Sequence, residues 1–190
     1  MHLVLMGPPG AGKGTQAQIV AVRLNVPHIS TGDIFRSNVS SGTPLGLQAK
    51  HFMDAGEYVP DDVTNAMVRD RLGEPDCSSG FLLDGYPRTL DQVGELDAIL
   101  TSLDKRLDRV VELTVDREEV VQRLVRRALD SGRSDDTEEV IRRRMDVYQE
   151  QTSPLLQVYA GRGLLVSVDG TGAVEEVTAR ILDAVELPGE

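Results

Sequence analysis

Residues 7–15 read Gly-Pro-Pro-Gly-Ala-Gly-Lys-Gly-Thr, directly after an apolar run at 3–6 and directly before a helical pattern that starts near Gln16. Few folds accommodate that order. The glycines permit positive φ and close approach, so successive backbone N–H groups can turn inward around an anion. The helix that follows points its positive end at the same place. Lys13 adds a mobile cation that reaches the outer phosphates of a nucleoside triphosphate. The general pattern places Ser or Thr immediately after the lysine to hold Mg²⁺, whereas here Gly14 precedes Thr15. That displacement implies a metal held chiefly by substrate oxygens and ordered water, with carboxylates elsewhere orienting the waters. A glycine-rich turn that binds nothing is the plainer alternative, and the context of strand before and helix after argues against it.

Apolar runs at 81–83, 110–115 and 164–168 each end in an acid, Asp84, Asp116 and Asp169. Continuous apolar runs of this length suit parallel strands buried on both faces. Helical periodicity falls between them, at 16–24, from a cap at Asp61 or Asp62 to Leu72, at 90–100, from about Arg117, at 137–151 and at 173–185. The alternation implies an α/β fold, a parallel sheet of about five strands with helices on both faces. Residues 28–30 are too short to assign to a strand by pattern. Between them and Glu57, two broken helical pieces, 34–39 and 45–55, lack long apolar faces and read as a small inserted flap. A chain of 190 residues that is 40% hydrophobic fits a single domain.

The balance of 20 Lys and Arg against 31 Asp and Glu, a formal charge of −11, argues against a nucleic-acid or anionic-membrane surface as partner. Aromatic residues at 4% leave little for stacking on single strands. Cys77 is the only cysteine, which rules out an internal disulfide and a cysteine-based zinc site. No leader precedes the first apolar run and no stretch has membrane-spanning length, so a cytoplasmic protein is expected. The histidines, His2, His28 and His51, receive no role.

Of the three strand-end acids, Asp116 with Glu119 resembles a capping box, and Asp169 sits in a turn sequence. Asp84 is followed by Gly85-Tyr86-Pro87-Arg88 rather than by a helix start, which favours it as the metal-organising carboxylate. The arginines are concentrated: Arg123, Arg126, Arg127, Arg133, Arg142, Arg143 and Arg144 lie around the break at 130–132. Arg123 and Arg127 share a helical face beside an apolar stripe through Val120 and Leu124. Arg144 is directed inward by Val140 and Tyr148, while Arg142 and Arg143 stay solvated and pair with acids such as Glu138. With a phosphate loop in the same chain, Arg88 and the inward arginines read as a phosphate clamp rather than as surface salt bridges. Transfer of a phosphoryl group between two anionic nucleotides requires such fixed cations. No Asn-Lys-x-Asp segment, the guanine reader of signalling GTPases, is evident.

The segments GPPGAGKGT (7–15), ISTGD (29–33) with Arg36, LLDGYPRT (82–89) and RSDDTEEVIRRR (133–144) resemble, in order and interval, those of adenylate kinases. The similarity runs from Leu3 to the last helix, and the family's own loop reads GKGT. It implies a P-loop kinase fold with a core at 1–29, 60–126 and 134–190, an AMP-binding insertion at 30–59 and a short lid at 127–133. The implied reaction is reversible, direct in-line transfer from Mg²⁺-ATP to AMP giving two ADP. The resemblance places the donor phosphates on Gly10, Ala11, Gly12, Lys13, Gly14 and Thr15, approached by Arg123 and Arg127, with Gly172 against the donor adenine. It places AMP on Thr31, Arg36, Glu57, Tyr58, Val59, Gly85, Tyr86, Pro87, Arg88 and Gln92, with Arg133 and Arg144 spanning both nucleotides. Lys13, Arg88, Arg123, Arg133 and Arg144 are the implied catalytic residues. No direct metal ligand is assigned, and Asp33 and Asp84 would orient Mg²⁺-bound waters. Tyr86 stands where Phe is more usual. Kinases of UMP and CMP share the loop and most of the arginines, but Thr31 and Gln92 resemble the adenine-reading pair. A non-catalytic nucleotide-binding module would not need Lys13, Arg88, Arg133 and Arg144 together. A monomer is expected, with ATP, AMP and ADP as its ligands.

Overall fold

Five short strands form one parallel sheet in the order β2-β3-β1-β4-β5: β1 (His2–Met6), β2 (His28–Ser30), β3 (Phe81–Asp84), β4 (Arg109–Thr114) and β5 (Leu165–Asp169). The computed structural model describes residues 1–131 and 137–186, with side chains for all of these except 128–131. Alternation along β1 divides the core. Leu3 and Leu5 face one side, where α1 (Lys13–Leu24) and α9 (Val174–Val185) bury Ala17, Val20, Val177 and Ile181. Val4 and Met6 face the other, covered by α4 (Asp61–Leu72), α5 (Leu90–Ser102) and α8 (Ser153–Gly161) through Val68, Leu96, Leu155 and Tyr159. The sheet is therefore covered on both faces, as the near-continuous apolar runs require.

Register brings the chemistry to one edge. Leu5 and Ser30 both lie opposite Asp84. The carboxyl ends of β1, β2 and β3 thus deliver the glycine-rich loop, Thr31 and Gly85 side by side, at the edge where α/β sheets bind ligands. The segment 28–30 is a true strand. It is short because α2 (Thr31–Ser40) starts immediately after it, with the Ser30 hydroxyl accepting from Asp33 N–H at 3.3 Å.

Several boundaries differ from those read in the sequence. Helix α1 begins at Lys13, three residues before the apolar period becomes visible, because left-handed Gly12 (φ 92°) turns the chain directly into the helix. Helices α2 and α3 (Pro44–Asp54) have a small core of their own, Phe35, Ala49 and Val59. Pro60, not an aspartate, stands at the N-cap of α4; the Asp61 carboxylate turns to α5 and accepts from Thr89 Oγ1 and Gln92 Nε2, each at 2.7 Å. Helix α6 (Arg117–Ser131) runs into the expected break as far as Ser131. The Glu119 carboxylate accepts from Arg123 Nη2 at 2.5 Å, an ion pair along the helix. The single helix expected at 137–151 is α7 (Glu138–Val147) followed by a π-helical turn, Tyr148–Thr152, after which Pro154 opens α8 in its first turn. Among the described residues no helix is long and apolar enough to cross a membrane.

Candidate active site

The phosphate loop is held open by its glycines and by its neighbours. Gly10 has φ 85°, and a Cβ there would lie 2.8 Å from Leu124 Cγ and 3.1 Å from the Val120 carbonyl. Only glycine lets the loop pass under α6. Arg123 ties the same loop to the turn after β5, its guanidinium lying 3.4 Å from the Ala11 carbonyl and 3.0 Å from that of Gly170.

Lys13 Nζ donates to the Gly7 and Pro8 carbonyls at 2.7 and 2.9 Å. Loss of water around its ammonium pulls its pKa down to about 8; the Asp84 charge opposes that shift, and Arg88, Arg144 and Arg127 add to it. Asp84 is 8% exposed, with one carboxylate oxygen 3.7 Å from His28 Nε2 and 3.7 Å from where a Cβ on Gly14 would stand. The sequence reading gave His28 no role; it backs the strand-end carboxylate beside the loop.

Arg88 is fixed at several points. Its Nε donates to the Gly85 carbonyl at 2.7 Å, and its guanidinium carbon lies 4.9 Å from the centre of the Tyr58 ring. Thr31 Oγ1 donates to the same Gly85 carbonyl at 2.9 Å. Gln92, 1% exposed, has both ends of its amide engaged: Oε1 accepts from Arg88 N–H and Nε2 donates to Asp61, each at 2.7 Å. These contacts fix which end of the amide is donor and which acceptor. The Tyr86 hydroxyl, the departure from phenylalanine, donates to Asn65 Oδ1 at 2.8 Å, and burial raises its pKa. Its polar atom is satisfied, which explains why the core accepts it.

Two cavities open beside these groups. One, about 980 Å³ with its open mouth included, is lined by Thr31, Gly56 to Val59, Gly85 to Arg88 and Gln92. The other, about 1160 Å³ on the same basis, is lined by Gly10, Gly12 to Thr15, Asp33, Asp84, Arg123 and Arg127. Lys13, Arg36, Arg88 and Arg144 line both. Of the cations singled out in the sequence, these four therefore stand at the junction of two spaces, while Arg123 and Arg127 line only the second. Arg36 Nη2 also donates to Asp33 at 2.6 Å. Gly172, left-handed at φ 102°, lies apart in a shallower cleft with Arg123, Arg126 and Arg127. Of the expected lid at 127–133, residues 132 and 133, Arg133 among them, lie outside the described residues, as do the side chains of 128–131.

One arginine behaves differently from expectation. Arg142 pairs with Glu138 as anticipated, but Arg143 Nε donates at 2.6 Å to Glu57, at the far end of the α2–α3 segment. Three contributors were not found in the sequence: Asp61 behind Gln92, His28 behind Asp84, and Thr152 behind Arg88. The Thr152 hydroxyl donates to the Arg88 carbonyl at 2.8 Å. No motif marks any of them.

The sequence matches the adenylate kinase family over residues 5–164. It is 62% identical over 187 residues to the adenylate kinase of Nocardioides sp., covering 98% of each chain. It is 58% identical over 186 residues to that of Thermobifida fusca, again 98% of each chain, and 55% identical over 184 residues to that of Micrococcus luteus, 97% of this chain and 90% of the other. With the strand-loop-helix site and the paired cavities in place, a match of this length makes the chain a member of the adenylate kinase family.

Proposed function

We propose that this protein transfers the terminal phosphoryl group of ATP reversibly to AMP, giving two ADP, and so balances the adenine nucleotides. The observation that carries the reading is the sharing of Lys13, Arg36, Arg88 and Arg144 by two adjoining cavities. An oxygen of the AMP phosphate attacks the γ-phosphorus; the new P–O bond forms as the bond to the bridging oxygen breaks, and that oxygen leaves on ADP. The nucleophile is already an anion, so the protein need supply no general base. Its work is alignment and stabilisation of charge on the equatorial oxygens.

In this reading residues 10–15, Arg123 and Arg127 hold the donor phosphates and Gly172 meets the donor adenine. Thr31, Arg36, residues 57–59, residues 85–88 and Gln92 hold AMP, and Arg133 and Arg144 reach both nucleotides. Residues 30–59 act as a flap over AMP and residues 127–133 as a short lid over ATP, both set on a core of 1–29, 60–126 and 134–190. Mg²⁺ suits the donor chemistry beside the loop. The buried Asp84 carboxylate and Asp33 line the same cavity as Thr15. One or two carboxylates with phosphate oxygens and water are what Mg²⁺ takes, so Asp33 and Asp84 would orient its waters. When bound, the metal would neutralise charge on the donor phosphates. The substrates are water-soluble nucleotides, and we expect a cytoplasmic monomer.

The test is incubation with Mg²⁺-ATP and each nucleoside monophosphate in turn. Diphosphate formed at least ten times faster from AMP than from UMP or CMP is expected. Preference for a pyrimidine monophosphate would reassign the acceptor, and binding of ATP without any diphosphate formation would reduce the protein to a binding module.

A further inference from the structure

The turn at Tyr148–Thr152 is π-helical, wider than an ordinary helical turn, and such turns are rare overall but frequent at functional sites. Here it puts both Tyr148 and Thr152 on the wall of the cavity that contains Arg88 and Arg144. Thr152 is 5% exposed. Its Oγ1 lies 2.8 Å from the Arg88 carbonyl and 2.7 Å from Tyr58 Oη. A threonine hydroxyl has one proton, and a carbonyl can only accept. The proton therefore goes to Arg88, and Tyr58 must be the donor in the other contact. The order is fixed as Tyr58 O–H to Thr152 O–H to Arg88 C=O.

The relay closes on itself, because the ring of Tyr58 carries the Arg88 guanidinium on its face at 4.9 Å. Arg88 is thus gripped at its carbonyl by Thr152, at its guanidinium face by Tyr58 and at Nε by Gly85. None of the three contacts uses an Nη group, so that pair of donors stays available to phosphate oxygens.

We propose that Thr152 is a positioning residue for phosphoryl transfer, acting through Tyr58 and the Arg88 carbonyl to set the pose of the Arg88 guanidinium. This rests on the reading that Arg88 acts on the transferred group. The π turn carries the hydroxyl to that point, and Tyr58 links the end of the 30–59 segment to the same arginine.

The experiment uses the full chain and compares wild type with Thr152→Val, Thr152→Ser, Tyr58→Phe, Arg88→Lys and the Thr152→Val/Arg88→Lys double variant. Steady-state kinetics and thermal unfolding are measured for each. Thr152→Val keeps the shape and removes the hydroxyl; about a tenfold fall in kcat is expected, with KM for ATP within about twofold. Thr152→Ser should recover kcat to within about threefold, and Tyr58→Phe should fall between the two. In the Arg88→Lys background Thr152→Val should cost less than about twofold, because the group it positions is gone. Wild-type kcat in Thr152→Val, no recovery in Thr152→Ser, or a full tenfold loss on top of Arg88→Lys would each overturn the proposal. So would a kcat loss that merely follows a lowered Tm. The underlying reading fails separately: Arg88→Lys turning over like wild type removes the role of Arg88, whereas a slow Arg88→Lys beside an unimpaired Thr152→Val removes only that of Thr152.

Discussion

Lys13 donates to the two carbonyls that begin its own loop, and burial pulls its pKa to about 8 with help from three arginines. The ammonium is charged below that pH and neutral above it. Because kcat/KM reports the free enzyme, kcat/KM for ATP is expected to fall as pH rises through about 8. Bound phosphates favour the ammonium, so the same limb should move to higher pH in kcat. Stability has the opposite sign. The folded chain holds this proton less tightly than the unfolded chain, whose lysine titrates near 10.5, so between about 8 and 10.5 this group makes the ligand-free protein more stable as pH rises. A kcat/KM profile flat to the far side of that window would contradict the assignment. At this scale the sequence was readable where a motif fixes local geometry, as for Lys13, Arg88 and Asp84. It was silent for Asp61 and Thr152, whose partners lie 28 and 64 residues away and meet them only once the sheet is assembled.

Elements were legible in proportion to how strongly their burial marks the sequence. Strands β1, β3 and β4 stand out as apolar runs because helices cover them on both faces. Strand β2 and the start of α1 did not, since three residues give no period and a loop of glycines shows no apolar stripe. The π turn was invisible because residues 137–151 keep a helical spacing that does not register one widened turn. Helices α2 and α3 lack long apolar faces and read as a small flap, and they pack on each other through Phe35 and Ala49, closely enough that glycine is needed at the crossing. A Cβ on Gly46 would stand 2.1 Å from the Asn38 carbonyl oxygen, a backbone atom that cannot rotate away. Gly46→Ala is therefore expected to prise the pair apart at a cost of about 1–3 kcal/mol or more. Hydrogen exchange should quicken across 31–54 while β1, β3 and β4 keep their protection, and KM for AMP should rise more than KM for ATP. Uniform loss of protection across the sheet would mean that the segment is not a separable unit.

Taken whole, the molecule places a local charge against its own average. The chain carries a formal −11, yet the loop-side cavity gathers Lys13, Arg36, Arg88, Arg123, Arg127 and Arg144 against Asp33 and Asp84. Composition argues against a nucleic-acid surface but could not locate this reversal, which depends on strand order. Placing β3 between β2 and β1 is what brings Asp84 and Arg88 beside the loop, and alternation along the chain specifies parallel strands without specifying that order. Because four cations are common to both cavities, the proposed function has the two nucleotides meet phosphate to phosphate across them. Two adenosines joined by one polyphosphate chain should then occupy both spaces at once. The second adenosine would bind at an effective concentration of about millimolar set by the linker. A ligand present at about 100 times its Kd stabilises the fold by about 2.7 kcal/mol, and each further tenfold in affinity adds about 1.4 kcal/mol. At equal concentration the linked compound should raise Tm above either ATP or AMP, with an optimum at the chain length that matches the span, since shorter linkers cannot reach both sites. A linked compound that stabilises no better than ATP at every chain length would show that the two cavities do not act as one site.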